Sequence, residues 1–233
     1  MQDPSSPDST RDDLTVSWWV VPLVVLAFVI LSALTAGSNS LQFDLSVTEW
    51  IQGGDGQLAR WAADTGNLIG ESTYAVGVLI VTVVATVVLK RWRDLWFLLA
   101  AALLRTLATV LKGILESPRP SADQATLHEV FDGFGFPSGH ATTSAVLTGT
   151  LAFLVARQFP TPRVRIAALA FWILCMGLTS FARVWVGAHW FTDTIGGSLV
   201  GVFIILVAAN MSALATMWRP GSLRTAPAQS PER

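Results

Sequence analysis

Six apolar runs, each about the length of a membrane crossing, dominate this chain: residues 18–36, 73–89, 95–112, 139–156, 166–183 and 191–211. A bilayer core about 30 Å thick needs roughly 20 residues at about 1.5 Å each, so these runs are long enough. Backbone in lipid must satisfy its own N–H and C=O groups, and a single segment does so only as a helix. The expectation is an all-α polytopic membrane protein, a six-transmembrane-helix bundle spanning residues 18–213. The run 73–89, rich in Val, Ile and Thr, would suggest a strand in a soluble protein; its length argues for a helix.

Composition agrees. The 233 residues are 52% hydrophobic and 13% charged, whereas soluble domains carry about 25% charged residues. A net charge of −1 gives no electrostatic reason for a nucleic-acid partner. The single cysteine, Cys175, lies in an apolar run, reads as a packing residue and has no internal disulfide partner;.

Polar tails flank the bundle at 1–17 and 214–233, and both read as disordered;. The first tail is acidic and the apolar run behind it is long, unlike a cleaved secretory signal. Lys and Arg set the orientation. With the N-terminus in the cytoplasm, the inner segments hold Arg11, Lys90, Arg91, Arg93, Arg157, Arg163, Arg165, Arg219, Arg224 and Arg233. Both termini are therefore expected in the cytoplasm, in a plasma (inner) membrane. The outer side then holds Arg60, Lys112, Arg119 and Arg183, with Arg105 inside the third run. Between the first two runs, Leu41, Leu45, Thr48 and Ile51 recur at helical spacing and read as a surface helix or a plain loop, ended by the Gly-Gly-Asp-Gly stretch;.

Three outer-face stretches carry chemistry: KGILESPRP from Lys112 to Pro120, PSGH from Pro137 to His140, and ARVWVGAHWFTD from Ala182 to Asp193. Together they offer the cations Lys112, Arg119 and Arg183, the imidazoles of His140 and His189, and Asp193. Asp193 follows His189 by four residues, one helical turn, and so can reach a ring nitrogen and fix the tautomer. Ser138 and Gly139 open the fourth run, where free N–H groups and the helix dipole attract anions. Three cations beside a helix N-terminus suit a phosphate, which Arg grips with paired donors. A metal is the rival use of two His and one Asp. It would stand next to three cations, and no His-x3-His or Cys pair accompanies it.

These stretches, K-x6-RP, PSGH and R-x5-H-x3-D, resemble the three-part signature of the type 2 phosphatidic acid phosphatase superfamily. That family includes lipid phosphate phosphatases, polyprenyl-diphosphate phosphatases, glucose-6-phosphatases and vanadium haloperoxidases. The resemblance runs from Lys112 to Asp193 and implies roles. His189 would attack phosphorus and become a phospho-histidine. Asp193 would orient it, and His140 would protonate the leaving oxygen. Lys112, Arg119, Arg183, Ser138 and the Gly139 amide would hold the phosphoryl oxygens; Ser138 also reads as a helix N-cap, and both roles can coexist. One departure stands out: Ala182 precedes Arg183 where the family commonly has Ser.

The resemblance implies a metal-independent, cofactor-free lipid phosphatase working at the extracytoplasmic face. Its partners would be membrane lipids and a lipid phosphate substrate. Polyprenyl diphosphate leads, followed by phosphatidic acid and phosphatidylglycerophosphate. The alternatives are a phosphotransferase to a lipid or sugar alcohol and a non-catalytic lipid transporter or scaffold. Oligomeric state is not readable.

Arg105 lies two turns below Lys112 on the same face and is costly in lipid unless paired or wet. It is expected to face the bundle interior as structural support, bonded to a carboxylate (Glu71 or Asp64) or to carbonyls. His128, Glu129 and Asp132 read as a solvated loop, and Thr142 to Ser144 as small-residue helix packing. Gly196 and Gly197 read as permitting close helix approach. Trp18, Trp19, Trp92, Trp96, Trp190 and Trp218 fall near run ends as interfacial anchors;.

Overall fold

The computed structural model describes residues 18–36, 41–54 and 56–217. The tail expected at 1–17, and that at 214–233 from residue 218 onward, lie outside them, as does Trp218.

Nine helices make up the described chain, in the order α1 (Val20–Thr35), α2 (Gln42–Gln52), α3 (Gln57–Gly70), α4 (Ser72–Val88), α5 (Trp92–Leu104), α6 (Leu107–Leu115), α7 (Gly139–Gln158), α8 (Pro162–Trp185) and α9 (Phe191–Met217). No strand occurs among the described residues. Four helices are long and apolar enough to cross a membrane: Trp92–Leu115, Gly139–Gln158, Pro162–Trp185 and Phe191–Ala213. The pair α3 and α4, bent by 54°, makes a fifth if it counts as one span, and α1 is a shorter apolar helix. The run 73–89 is helical, as its length requires.

Differences from expectation are local. The run 95–112 is divided into α5 and α6 at Arg105 and Thr106. The residues from Leu41 onward that recur at helical spacing form the helix α2, which Gly53 caps. Beyond the Gly-rich stretch stands α3, a further helix that the apolar runs do not announce.

Helix α7 is the hub, packed against α9, α8, α3, α4, α5 and α6. It can be central because its residues are small: Ala141, Thr142, Ser144, Ala145, Thr148 and Gly149 are buried. Small residues let helices approach where lipid gives no hydrophobic drive. A Cβ on Gly149 would fall 2.7 Å from the Trp172 ring of α8, whose indole donates to Ala145 O at 2.8 Å. Hydroxyls in this hub bond back to backbone, as Thr148 Oγ1 does to Ser144 O at 2.7 Å. A Cβ on Gly197 would meet Ser138 O at 2.3 Å, and one on Gly196 the Phe136 ring at 2.4 Å. This glycine pair seats α9 against the start of α7. The apolar core joins Phe97 and Ala101 of α5 to Val146 of α7 and to Val200, Ile204 and Ala208 of α9. At the other end of the bundle, Asp94 pairs with both Arg91 and Arg157.

Helix α3 lies on α8 through two glycines. A Cβ on Gly66 would sit 2.2 Å from Leu178 O and 2.8 Å from Ala182 Cβ; one on Gly70 would meet His140 and Thr179 at 3.0 Å. Ala182, the departure from the usual Ser, is fully buried at this contact.

Candidate active site

The three motif stretches converge where α6 ends, α7 begins, and α8 gives way to α9. His189 stands in the short turn between α8 and α9 and is 3% exposed. Its Nδ1 lies 3.2 Å from Asp193 Oδ2. The Trp190 N–H donates to the same oxygen at 3.0 Å. On the other side of the ring, Nε2 is 3.2 Å from Arg119 Nη1. A carboxylate only accepts and a guanidinium only donates. Neutral His189 therefore carries its proton on Nδ1 and turns the Nε2 lone pair toward Arg119. Burial pushes the imidazole well below its ordinary range, and the charges of Arg119, Lys112, Arg183 and His140 push the same way;.

Arg119 is fixed by backbone: Nη1 donates to Ala188 O at 2.6 Å and Nε to Gly133 O at 3.0 Å. Arg183, 4% exposed, donates through Nη1 to Asn67 Oδ1 of α3 at 2.9 Å. The Phe131 ring lies under both guanidiniums, 5.6 Å from Arg119 Cζ and 4.8 Å from Arg183 Cζ;. Lys112, on the last turn of α6, makes no hydrogen bond among the described residues and stands in the combined field of Arg119, Asp193, Arg105 and Arg183. His140 Nε2 is 3.6 Å from Glu71 Oε2, and Glu71 also caps α4 by accepting from Thr73 N–H at 3.3 Å.

Ser138 of the PSGH segment stands at the N-cap of α7. Its side chain is fully buried and accepts from Ala141 N–H at 3.4 Å, a helix cap;. Its own N–H donates to Asp193 O at 2.9 Å. That bond ties the second motif to the third and takes one donor away from any anion. The Gly139 and His140 amides have no partner among the described residues;.

Arg105 does face the bundle interior, as expected. The carboxylate partner does not materialise: Arg105 donates to Thr143 Oγ1 through Nη2 at 2.9 Å and Nε at 3.1 Å, and to Gly139 O at 3.5 Å. Glu71 is turned to His140 instead, and Asp64 lies out on α3.

Further supports come from residues the motifs do not contain. Asp44 of α2, buried, accepts from Thr192 N–H at 2.9 Å and from Thr192 Oγ1 at 2.8 Å, capping α9 just before Asp193. Gln52 bonds Thr126 in both directions at 2.9 Å and donates to Val184 O at 3.2 Å. The loop 121–136 is thereby pinned to the end of α8. His128 of that loop is exposed, as a solvated loop residue should be, and stacks one ring face on Trp185 with centroids 4.3 Å apart. Asn67, Glu71, Asp44 and Gln52 all lie far from the motifs in sequence, and no spacing signal marks them.

Fold and site together define a helical membrane protein with three cations gathered about a tautomer-fixed histidine. A family model described as the PAP2 superfamily matches residues 93–217, more than half of the chain, and the chain belongs to that superfamily. It is 31% identical over 121 residues to phosphatidylglycerophosphatase B of Bacillus subtilis, covering 51% of this chain and 57% of that protein. Over 86 residues it is 38% identical to a lipid A 1-phosphatase of Rhizobium johnstonii, covering 37% of this chain and 30% of that protein. The chain thus matches little more than half the length of these relatives at most. In structure it resembles the crystallised PAP2-type phosphatidylglycerolphosphate phosphatase of Bacillus subtilis, with a TM-score of 0.72 over 85% of this chain and 98% of the other at 22% identity. LpxE of Aquifex aeolicus gives a TM-score of 0.57 at 17% identity, over 76% of this chain and 98% of the other. The helical fold is shared with both.

Proposed function

We propose that the chain is a metal-independent membrane phosphatase that removes a phosphate from a lipid phosphate monoester or diphosphate through phospho-His189. The observation that carries this reading is the His189 ring, with Asp193 on one nitrogen and the lone pair of the other turned to the Arg119 guanidinium. An imidazole held in this way is a nucleophile awaiting an anion. The Lys112, Arg119 and Arg183 cations would hold the equatorial oxygens with the Gly139 and His140 amides and stabilise charge in the transition state. Three cations beside the ring also leave poor electrostatic room for a metal.

The steps balance as follows. His189 Nε2 attacks phosphorus while the bond to the lipid oxygen breaks. That oxygen keeps the electron pair and takes a proton from His140. Water then attacks the phospho-histidine, giving its proton to His140, and the P–N bond breaks to release phosphate. Glu71 Oε2, 3.6 Å from His140 Nε2, orients the ring that serves the first step. Ser138 acts here as the cap that aims the start of α7, and its O–H can still donate to a phosphoryl oxygen.

Six spans are proposed, formed by α1, α4, the α5–α6 pair, α7, α8 and α9, with both termini cytoplasmic. The Lys and Arg distribution supports this topology;. It puts the site at the extracytoplasmic face, at head-group depth, where a lipid's phosphate stops while its tail stays in the membrane. The names of the relatives, phosphatidylglycerophosphatase B and lipid A 1-phosphatase, support a lipid phosphate substrate.

The test is phosphate release from a panel of lipid phosphates in detergent with EDTA present, wild type against His189→Ala. Release by the wild type and complete loss in the variant are expected. Activity that survives the substitution, or disappears with EDTA, contradicts the mechanism.

A further inference from the structure

Beneath the phosphate pocket the bundle holds a cation with no charge to answer it. Arg105 spends two of its nitrogens on a hydroxyl and a carbonyl of α7, and no carboxylate pairs with it among the described residues. Neutral acceptors of this kind could be satisfied by a neutral donor. A guanidinium in an apolar surrounding is otherwise costly, and residues of this kind within spans mark ligand paths. Support of α7 alone therefore does not account for the charge.

The surroundings say where the ligand would come from. Arg105 and Thr143 sit in the wall of a cavity of about 220 Å3 between α4, α5 and α7. The rest of that wall is largely apolar and includes Leu79, Leu98, Ala101, Val146 and Leu147. The other end of Arg105 adjoins the active site: its Nη2 reaches Gly139 O in the first turn of α7, and its charge is felt at Lys112. Arg105 thus stands at the junction between phosphate pocket and apolar cavity. A lipid with its terminal phosphate at His189 and its tail in that cavity would pass its connecting group along Arg105.

We infer that Arg105 and Thr143 form a second anion subsite, on the tail side of the reacting phosphorus, for a second phosphate group carried by the lipid. The inference rests on the phosphatase reading above. Two lipid chemistries supply such a group: a diphosphate, in which the second phosphate is the leaving group, and a glycerophosphate head group joined to the lipid through a phosphodiester. In the diphosphate, the bond between the terminal phosphorus and the bridging oxygen breaks. That oxygen keeps the electron pair and takes its proton from His140. Arg105 would then stabilise the phosphate that remains on the lipid.

The experiment uses matched lipids with the full-length protein in detergent. One pair is a polyprenyl monophosphate and diphosphate of equal chain length. The other is phosphatidic acid and phosphatidylglycerophosphate with the same acyl chains. The wild type is expected to have the higher kcat/KM for the two-phosphate lipid in at least one pair, and that pair identifies the source. Arg105→Gln keeps amide donors for Thr143 and Gly139 but removes the charge. It should lower the two-phosphate preference in that pair by about tenfold to a hundredfold, while Arg105→Lys retains much of it. An unchanged preference in Arg105→Gln overturns the subsite. If that variant does not fold, the wild type still decides, because a preference for the one-phosphate lipid in both pairs overturns the subsite as well. No phosphate release from any of the four lipids overturns the phosphatase reading and the subsite with it. Release that ignores Arg105 overturns the subsite alone.

Discussion

Arg119 Nη1 lies 3.2 Å from His189 Nε2, on the side of the ring opposite Asp193. The guanidinium is anchored there by Ala188 O at 2.6 Å and Gly133 O at 3.0 Å, so it cannot swing away. It does two things at once. It discourages protonation of Nε2, and in the proposed mechanism it would grip a phosphoryl oxygen.

A pH dependence follows from that pair. Burial and then the neighbouring cations, Arg119 first, hold His189 well below its ordinary range. The ring thus remains neutral as pH falls through about 6.5, where a free histidine would already be half protonated. The acid limb of kcat/KM attributable to His189 should lie well below that pH. Arg119→Gln removes a depressing charge, so its residual activity should fall off at a higher pH than the wild type. A limb that stays in place or moves to lower pH contradicts this account of His189.

Asp193 sets the tautomer. Asp193→Asn puts an amide beside Nδ1 that can donate as well as accept, and it favours the tautomer with the proton on Nε2. The expected result is a loss of roughly 10³- to 10⁴-fold in kcat, with KM changing much less. A loss smaller than roughly tenfold would mean that the aspartate only packs.

Asn67 gives Arg183 its side-chain acceptor. In Asn67→Ala the buried guanidinium loses that bond and its aim. The expected fall in kcat/KM is about tenfold to a hundredfold, the range for a bond to a charged group. Kinetics indistinguishable from wild type would show that Phe131 and the surrounding backbone hold Arg183 without help from α3.

Gly66 allows α3 to lie on α8. An added Cβ would fall 2.2 Å from Leu178 O, which is backbone and cannot step aside. Gly66→Ala should cost about 1–3 kcal/mol, as overpacking does. Gly77→Ala, with nothing within 4 Å of the added atom, serves as the control. Thermal midpoints in detergent compare the two, and equal stability would contradict the tight α3–α8 contact.

The site was readable in the sequence wherever its logic is local. His189 and Asp193 stand one helical turn apart, and the structure joins them through a single hydrogen bond. Apolar runs likewise gave helices, because a segment in lipid has few other options. What escaped is carried by long-range contacts. Helix α3 mixes polar and apolar residues behind a Gly-rich stretch, and the glycines that let it pack read as breakers rather than contact points. Arg105 was expected to find a carboxylate or carbonyls, and it does reach the Gly139 carbonyl. It finds the Thr143 hydroxyl, in a stretch that otherwise reads as packing, while Glu71 goes to His140. Ser138 reads in the sequence as a phosphate ligand, a helix cap or both; its oxygen caps α7 and its backbone N–H bonds Asp193 O. Nothing in the spacing of PSGH distinguishes a cap from a ligand.

The central claim is that His189 itself takes the phosphoryl group. The direct measurement is a rapid alkaline quench of the enzyme during turnover of a radiolabelled lipid phosphate with EDTA present, followed by mapping of the labelled peptide. The account predicts alkali-stable, acid-labile phosphate on His189, formed and consumed at rates that match turnover. Turnover with no label on His189, or with the label on another residue, would contradict it.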